Sequence, residues 1–289
     1  MSGPSSPLAQ TAIAGTVNFF PGFRRQAIRT SGSTINARIG GNGPPVLLLH
    51  GYPQTHIEWR RIAPELAKNH TVVMTDLRGY GDSGKPDAGD NHVNYSKRAM
   101  ALDQVKVIEA LGFKQFAVFS HDRGARVAHR LALDHPDKLI KLVLMDIYPT
   151  LYMYKTTDLQ FASAYFTWFF LIQAAPLPEA LIGSNVDMVL KRFMGSVMPK
   201  YIEPDAYAEY LRCFSDPATI HGSCKDYRAA ATIDLVPDEA DLDRKITCPL
   251  LVLWGANGLV GKKYDVLAVW TRGLLCCRLK SASSIMHGE

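Results

Sequence analysis

The stretch Phe116-Ala117-Val118-Phe119-Ser120-His121-Asp122-Arg123-Gly124-Ala125-Arg126 constrains this chain more than any other. An apolar run meets a tight turn framed by the small residues Ser120 and Gly124, and a helical pattern starts at once. The spacing predicts a strand, a strained turn with Asp122 at its tip, and a helix, which is the layout of a nucleophile elbow. Small residues two before and two after the tip let the backbone reverse without side-chain collision. A serine at the tip would mean acyl transfer. A carboxylate points instead to displacement at a saturated carbon, forming an ester that water must then cleave. Carboxylates are ionised at neutral pH and need no activating base. The competing reading is a helix-capping aspartate; the preceding strand and the small flanking residues favour the nucleophile.

The rest of the chain alternates around that element. Arg25–Thr30 and Thr34–Ile39 read as a hairpin after a loosely ordered arm over residues 1 to about 24. Continuous apolar runs at Val46–Leu49, Thr71–Thr75, Lys141–Met145 and Pro249–Gly255 are the mark of strands covered on both faces. Helices are expected over Trp59–Lys68, from an N-cap at Ser96 to Leu111, after the elbow, and over Val266–Trp270. A short last strand is expected at Leu274–Leu279. This alternation predicts an α/β fold with a mostly parallel sheet and right-handed crossovers. Ligands of such sheets bind outside the carboxyl ends of the strands, where Asp122 and Asp146 both fall. Residues 147–231 change character, with many aromatics, prolines and methionines at helical spacing. They read as an inserted helical lid between a first core segment, 1–146, and a second, 232–289.

Composition removes several function classes. The 289 residues are 47% hydrophobic, enough to bury one large core. The net charge of +5 is dispersed, so no basic patch for nucleic acid is expected, whereas a small anionic substrate is compatible. The loop Asp76-Leu77-Arg78-Gly79-Tyr80-Gly81-Asp82-Ser83 lacks the Gly-Lys-Ser/Thr that a phosphate loop needs. Five cysteines without a Cys-x-x-Cys pair imply neither a metal site nor a disulfide framework, hence a reducing, cytoplasmic setting. Met1–Gln10 has neither the basic nor the apolar region of a signal peptide. Phe166–Ile172 is too short to cross a bilayer, so no membrane association is expected. The oligomeric state is left open, with a homodimer as one option.

Around Asp122 the remaining candidates follow from chemistry. Arg123 and Arg126 lie one turn apart on one helix face and could hold a carboxylate between them. Arg123 sits in the first turn, where the helix dipole opposes a cation by roughly 0.3–1 kcal/mol, so it needs an anionic neighbour. The backbone N–H groups of Tyr52, in the turn His50-Gly51-Tyr52-Pro53 with a proline suited to a cis bond, and of Arg123 could form an oxyanion hole. Ester hydrolysis needs a base, and His287 is the one histidine in the chain-order position expected for it. Asp146 would orient that base, as the third member of a triad does. Trp168 and Tyr227 are either core aromatics or donors to a departing halide.

The motifs FPGF (20–23), GGNGPPVLLLHGYPQTH (40–56), DLRGYGDSGKP (76–86), SHDRGARVAHRLALDHP (120–136), LMDIYPT (144–150), PLPEALIG (176–183) and CKDYRA (224–229) resemble the fluoroacetate (haloacetate) dehalogenase family of α/β-hydrolases. The resemblance spans residues about 20–260 and implies the α/β-hydrolase fold. It implies a nucleophile at Asp122, carboxylate-binding arginines at Arg123 and Arg126, an acid at Asp146 and halide-site residues at Trp168 and Tyr227. The family carries a histidine where this chain has Thr167, which implies a weaker fluoride pocket. Its catalytic histidine stands in a Gly-His turn before a closing helix, whereas here His287 ends the chain as Met286-His287-Gly288-Glu289. Thr271–Glu289 does not resemble the family, and a truncated or altered C-terminus is the expectation.

The leading reading is therefore hydrolysis of the carbon–halogen bond of short 2-haloacids, without cofactor or metal. A second is epoxide hydrolysis by the same aspartate and histidine, with lid tyrosines among Tyr165, Tyr201, Tyr207 and Tyr210. A third is a catalytically dead or half-active protein that still binds small carboxylates, the half-active form stalling at the ester.

Overall fold

The computed structural model describes residues 17–195, 201–272 and 280–282. Eight strands form one sheet in the order β1-β2-β4-β3-β5-β6-β7-β8. They are β1 (Arg24–Arg29), β2 (Thr34–Gly40), β3 (Pro45–Leu49), β4 (Thr71–Thr75), β5 (Phe116–His121), β6 (Leu139–Met145), β7 (Leu250–Leu253) and β8 (Lys280–Ala282). The β1–β2 hairpin joins β4 antiparallel, and every other pairing is parallel. β3 is buried at all five residues, as a strand covered on both faces must be.

Sequence explains most elements and misjudges two. The helix α2 (Lys97–Ala110) starts where expected, with the Ser96 side chain accepting from the Ala99 N–H at 3.2 Å. The single helix expected over Trp59–Lys68 is instead a 3-10 turn, His56–Arg61, followed by the four-residue α1 (Ala63–Leu66). Pro64 has no N–H to continue a helix from the preceding turn, and His56 is held by Asp76 through both its backbone N–H and its ring. The arm does not extend to residue 24 either. Phe20 is 2% exposed, with its ring 5.6 Å from that of Phe23 and 5.8 Å from that of His56. The last strand expected at Leu274–Leu279 falls outside the described residues, and β8 begins at Lys280.

At the elbow, α3 (Asp122–Asp134) starts directly from β5, and Asp122 has φ of 40°. Positive φ at a non-glycine residue is strained, and aspartate tolerates it better than most. Gly124 is required by contact: a Cβ there would lie 2.6 Å from the Leu49 and His50 carbonyl oxygens. Ser120 is buried and donates to the Val143 carbonyl at 2.7 Å, so its hydroxyl is satisfied inside the sheet.

Between β6 and β7 the described chain is helical. These helices are α4 (Thr150–Lys155), α5 (Leu159–Ala164), α6 (Phe166–Leu171), α7 (Leu177–Ser184), α8 (Val186–Met194), α9 (Pro204–Phe214), α10 (Pro217–Ala231) and α11 (Leu235–Ala240). Beyond β7 lie α12 (Leu259–Lys263) and α13 (Val266–Arg272). Among the described residues no helix is long and apolar enough to cross a membrane. Cys213, Cys224 and Cys248 are buried free thiols.

Candidate active site

Two turns at the carboxyl ends of neighbouring strands meet at Asp122. His50, fully buried, ends β3; its Nε2 accepts from the Leu77 N–H at 3.0 Å, and its Nδ1 lies 2.8 Å from the Gly51 carbonyl. Burial lowers its pKa, so the neutral ring ties the turn after β3 to the loop after β4. The Gly124 N–H donates to the His50 carbonyl at 2.9 Å, fastening the elbow to that turn. The Tyr52 N–H then donates to Asp122 Oδ2 at 3.0 Å, across a turn whose Tyr52–Pro53 bond is cis. Asp146 stands at the end of β6, beside β5, with φ of 53°. Its N–H donates to the Leu253 carbonyl at 2.8 Å, and its Oδ1 lies 3.4 Å from the Gly255 N–H.

The arginines and the helices over the sheet complete the cluster. Arg123 is 0% exposed and its guanidinium lies 4.1 Å from the Tyr227 ring centre. Arg126, also buried, lies 4.5 Å from the Trp168 ring centre. Each ring face offers partial negative charge to the cation above it. Trp168 and Tyr227 are themselves buried, 6.3 Å apart, and Tyr52 packs edge-on against Tyr227 at 5.2 Å. Arg126 Nη1 donates to the Tyr148 carbonyl at 3.0 Å and to Thr150 Oγ1 at 2.8 Å. Arg123 Nη1 and Arg126 Nε are buried N–H groups with no hydrogen-bond partner among the described residues. Burial and the Asp122 charge push the Tyr227 phenol well up, so its O–H stays a donor. Asp122, Tyr52, Arg123, Arg126, Trp168 and Tyr227 therefore come together; His287 lies outside the described residues.

Sequence reading missed the counter-charge. Asp226 accepts from Arg123 Nε at 2.8 Å and Nη2 at 2.7 Å, from Tyr80 O–H at 2.6 Å, and pairs with Lys97 Nζ. Burial works against its ionisation, but Arg123 and Lys97 outweigh burial and hold it below the usual carboxylate range. Arg123 is thus half committed to the protein, leaving Nη1 for anything else. The signal was available: a cation in a first helical turn demands an anion, and Asp226 directly precedes Tyr227. A second missed pair is His121 and Glu58, whose Nδ1 and Oε1 lie 2.7 Å apart. The glycine-rich loop after β4 is structural, since buried Asp76 gathers Asn36, His56 and the Asp82 N–H. Among the described residues no group of three or more His, Cys, Asp or Glu could hold a metal ion.

Residues 44–280 match the model of the alpha/beta hydrolase fold family. The chain belongs to the α/β-hydrolases. A fluoroacetate dehalogenase from Burkholderia sp is 45% identical over 91% of this chain and 87% of its own length, which places this hydrolase in the dehalogenase family. A soluble epoxide hydrolase from Corynebacterium sp. (strain C12) is 32% identical over 83% of this chain and 82% of its own. An α/β-hydrolase structure from Nostoc sp PCC 7120 superposes with a TM-score of 0.87 at 56% identity, covering 90% of each chain. In this fold the strand-to-helix elbow is the position from which a nucleophile is presented, and here Asp122 stands at it.

Proposed function

We propose that this α/β-hydrolase removes halide from short 2-haloacids. The observation that carries this reading is a pair of buried guanidiniums near Asp122, each stacked on an aromatic ring and each with an N–H that no described protein group takes. A neutral substrate would leave those donors unpaired, whereas a carboxylate accepts from both. Asp122 attacks the halogen-bearing carbon from the side opposite the halogen; the C–O bond forms as the carbon–halogen bond breaks, and the halide leaves with the electron pair. Trp168 N–H and Tyr227 O–H serve as its donors. Water, losing its proton to His287 oriented by Asp146, adds to the ester carbonyl. The Tyr52 and Arg123 N–H groups hold the oxyanion, the bond from the Asp122 carbonyl carbon to the alkyl oxygen breaks, and that oxygen takes the proton from His287 as it leaves. The product is the 2-hydroxy acid, and Asp122 is regenerated.

The test is halide release from fluoroacetate, chloroacetate and bromoacetate, with Asp122→Asn alongside. Sustained release that the substitution abolishes is expected, with chloride and bromide ahead of fluoride because Thr167 replaces a strong donor. No release from any of the three by the unaltered protein would overturn the reading. A burst that stops, with an adduct persisting on Asp122 by mass spectrometry, would mean that His287 is not a working base.

One observation favours epoxide hydrolysis as a second reading. Burial raises the phenols of both Tyr165 and Tyr227, with the Asp146 and Asp122 charges adding to it at Tyr165 and the Asp122 charge at Tyr227. Two such O–H donors could protonate an epoxide oxygen. Turnover of styrene oxide without any haloacid activity would select it.

A further inference from the structure

Glu58 bridges the two turns that face Asp122. Its Oε2 accepts from the Gly51 N–H at 2.8 Å, and its Oε1 lies 2.7 Å from His121 Nδ1, a charge contact without the alignment of a hydrogen bond. Gly51 precedes the residue whose N–H reaches Asp122, and His121 precedes Asp122 itself. The imidazole lies over Gly51, where an added Cβ would meet its Nδ1 at 2.9 Å. One carboxylate thereby grips the turn after β3 with one oxygen and the elbow with the other. Within the reading of Asp122 as an ester-forming nucleophile, we propose that Glu58 is a positioning residue for ester hydrolysis, clipping the Tyr52 N–H to the site through Gly51 and His121.

The physical reason is that an oxyanion donor works only if it is already aimed when the charge develops. The Tyr52 N–H sits in a loop, and loops drift unless tied. A charged, two-point tie is stiffer than a turn hydrogen bond alone. The groups facing His121 are Glu58, Asp122 and Asp146. Burial lowers its pKa, but these three carboxylates outweigh burial and lift it to about 9. The charge contributed to the clip is therefore complete at neutral pH and is lost as pH rises through about 9.

Glu58→Gln tests this, because it keeps size and can still accept from Gly51 while removing the charge. With bromoacetate, quenched samples weighed as intact protein report formation and decay of the Asp122 ester separately. Formation is expected within about twofold of the unaltered enzyme, and decay slower by roughly tenfold to hundredfold. The alkaline limb of decay, near pH 9 in the unaltered enzyme, should move lower. His121→Asn should slow decay likewise and abolish that limb. Unchanged decay with an unchanged limb would overturn the proposal. So would equal losses in formation and decay together with a lowered unfolding midpoint, the mark of a merely structural role. If the unaltered protein forms no ester, or one that never decays, the functional reading fails by itself. Amide exchange at Gly51 and Tyr52 then decides the clip: at least tenfold faster exchange in Glu58→Gln supports it, and unchanged exchange refutes it.

Discussion

Asp226 shows how one buried side chain sets what a neighbouring one can do. It takes two of the N–H groups of Arg123 and the ammonium of Lys97, all away from solvent. Lys97 in turn has its pKa lowered, because burial and the Arg123 charge outweigh Asp226 and Asp234. Removing one partner of such a set leaves uncompensated charge in a low-dielectric interior. Asp226→Asn is expected to cost roughly 3–5 kcal/mol of stability, read by urea unfolding. Affinity for haloacid should fall as well, since Arg123 loses its orientation. An unchanged midpoint would show that the two cations rearrange freely. At this scale the sequence was only half legible. Asp122, Arg123 and Tyr227 stood in recognisable patterns, whereas Asp226 reaches Arg123 across 103 positions and Glu58 reaches His121 across 63.

The element that matters most is the junction of β5 and α3. Its strain is local, at Asp122, and its clearance is decided by another strand, since Gly124 abuts the carbonyls of Leu49 and His50. A methyl group there has no flexible neighbour to push aside. Gly124→Ala is expected to destabilise by about 1–3 kcal/mol and to displace Asp122, lowering halide release along with the melting temperature. Calorimetry and an initial-rate assay check both, and a variant unchanged in both would show that the helix slides without harm. Strands were the most legible elements, because five consecutive apolar residues in β3 leave few alternatives. Trp59–Lys68 was misjudged because its periodicity is helical while Pro64 and the Asp76–His56 contact, one local and one tertiary, forbid a continuous helix.

Across the whole molecule, ion pairs tie the chain between β6 and β7 to α3. Arg130 of α3 contacts Asp241 at 2.5 Å and Asp238 at 3.9 Å, both contributed from the region of α11. Burial, reinforced by Asp234, pushes the Asp238 carboxyl up to about 6, while Arg130 only partly opposes it. A raised carboxyl pKa favours the folded state while the group is protonated, and that contribution is lost as pH rises through the folded value. Asp238→Asn removes this loss. The variant's stability relative to the unaltered protein should therefore grow by about 1–3 kcal/mol between pH 4 and pH 7, as urea midpoints would report. The same difference at both pH values would mean that Asp238 is solvated.

The sequence alone determined the kind of fold and the position of the candidate nucleophile. Apolar runs select a covered parallel sheet, and a tight turn framed by small residues selects an elbow; both are local facts that neighbouring residues enforce. It also placed Tyr52, Arg126, Trp168 and Tyr227 among the candidates, because their types carry the needed donors. The tertiary structure alone decided which of these meet, and what balances them. The stacking of Arg126 on Trp168 and of Arg123 on Tyr227, the Asp226 counter-charge and the Glu58 clip are contacts between distant segments. The first three depend on where the helices after β6 settle over the strand ends and the last on how the turn after β3 meets the elbow, and burial there makes each charge require a partner that no local pattern names.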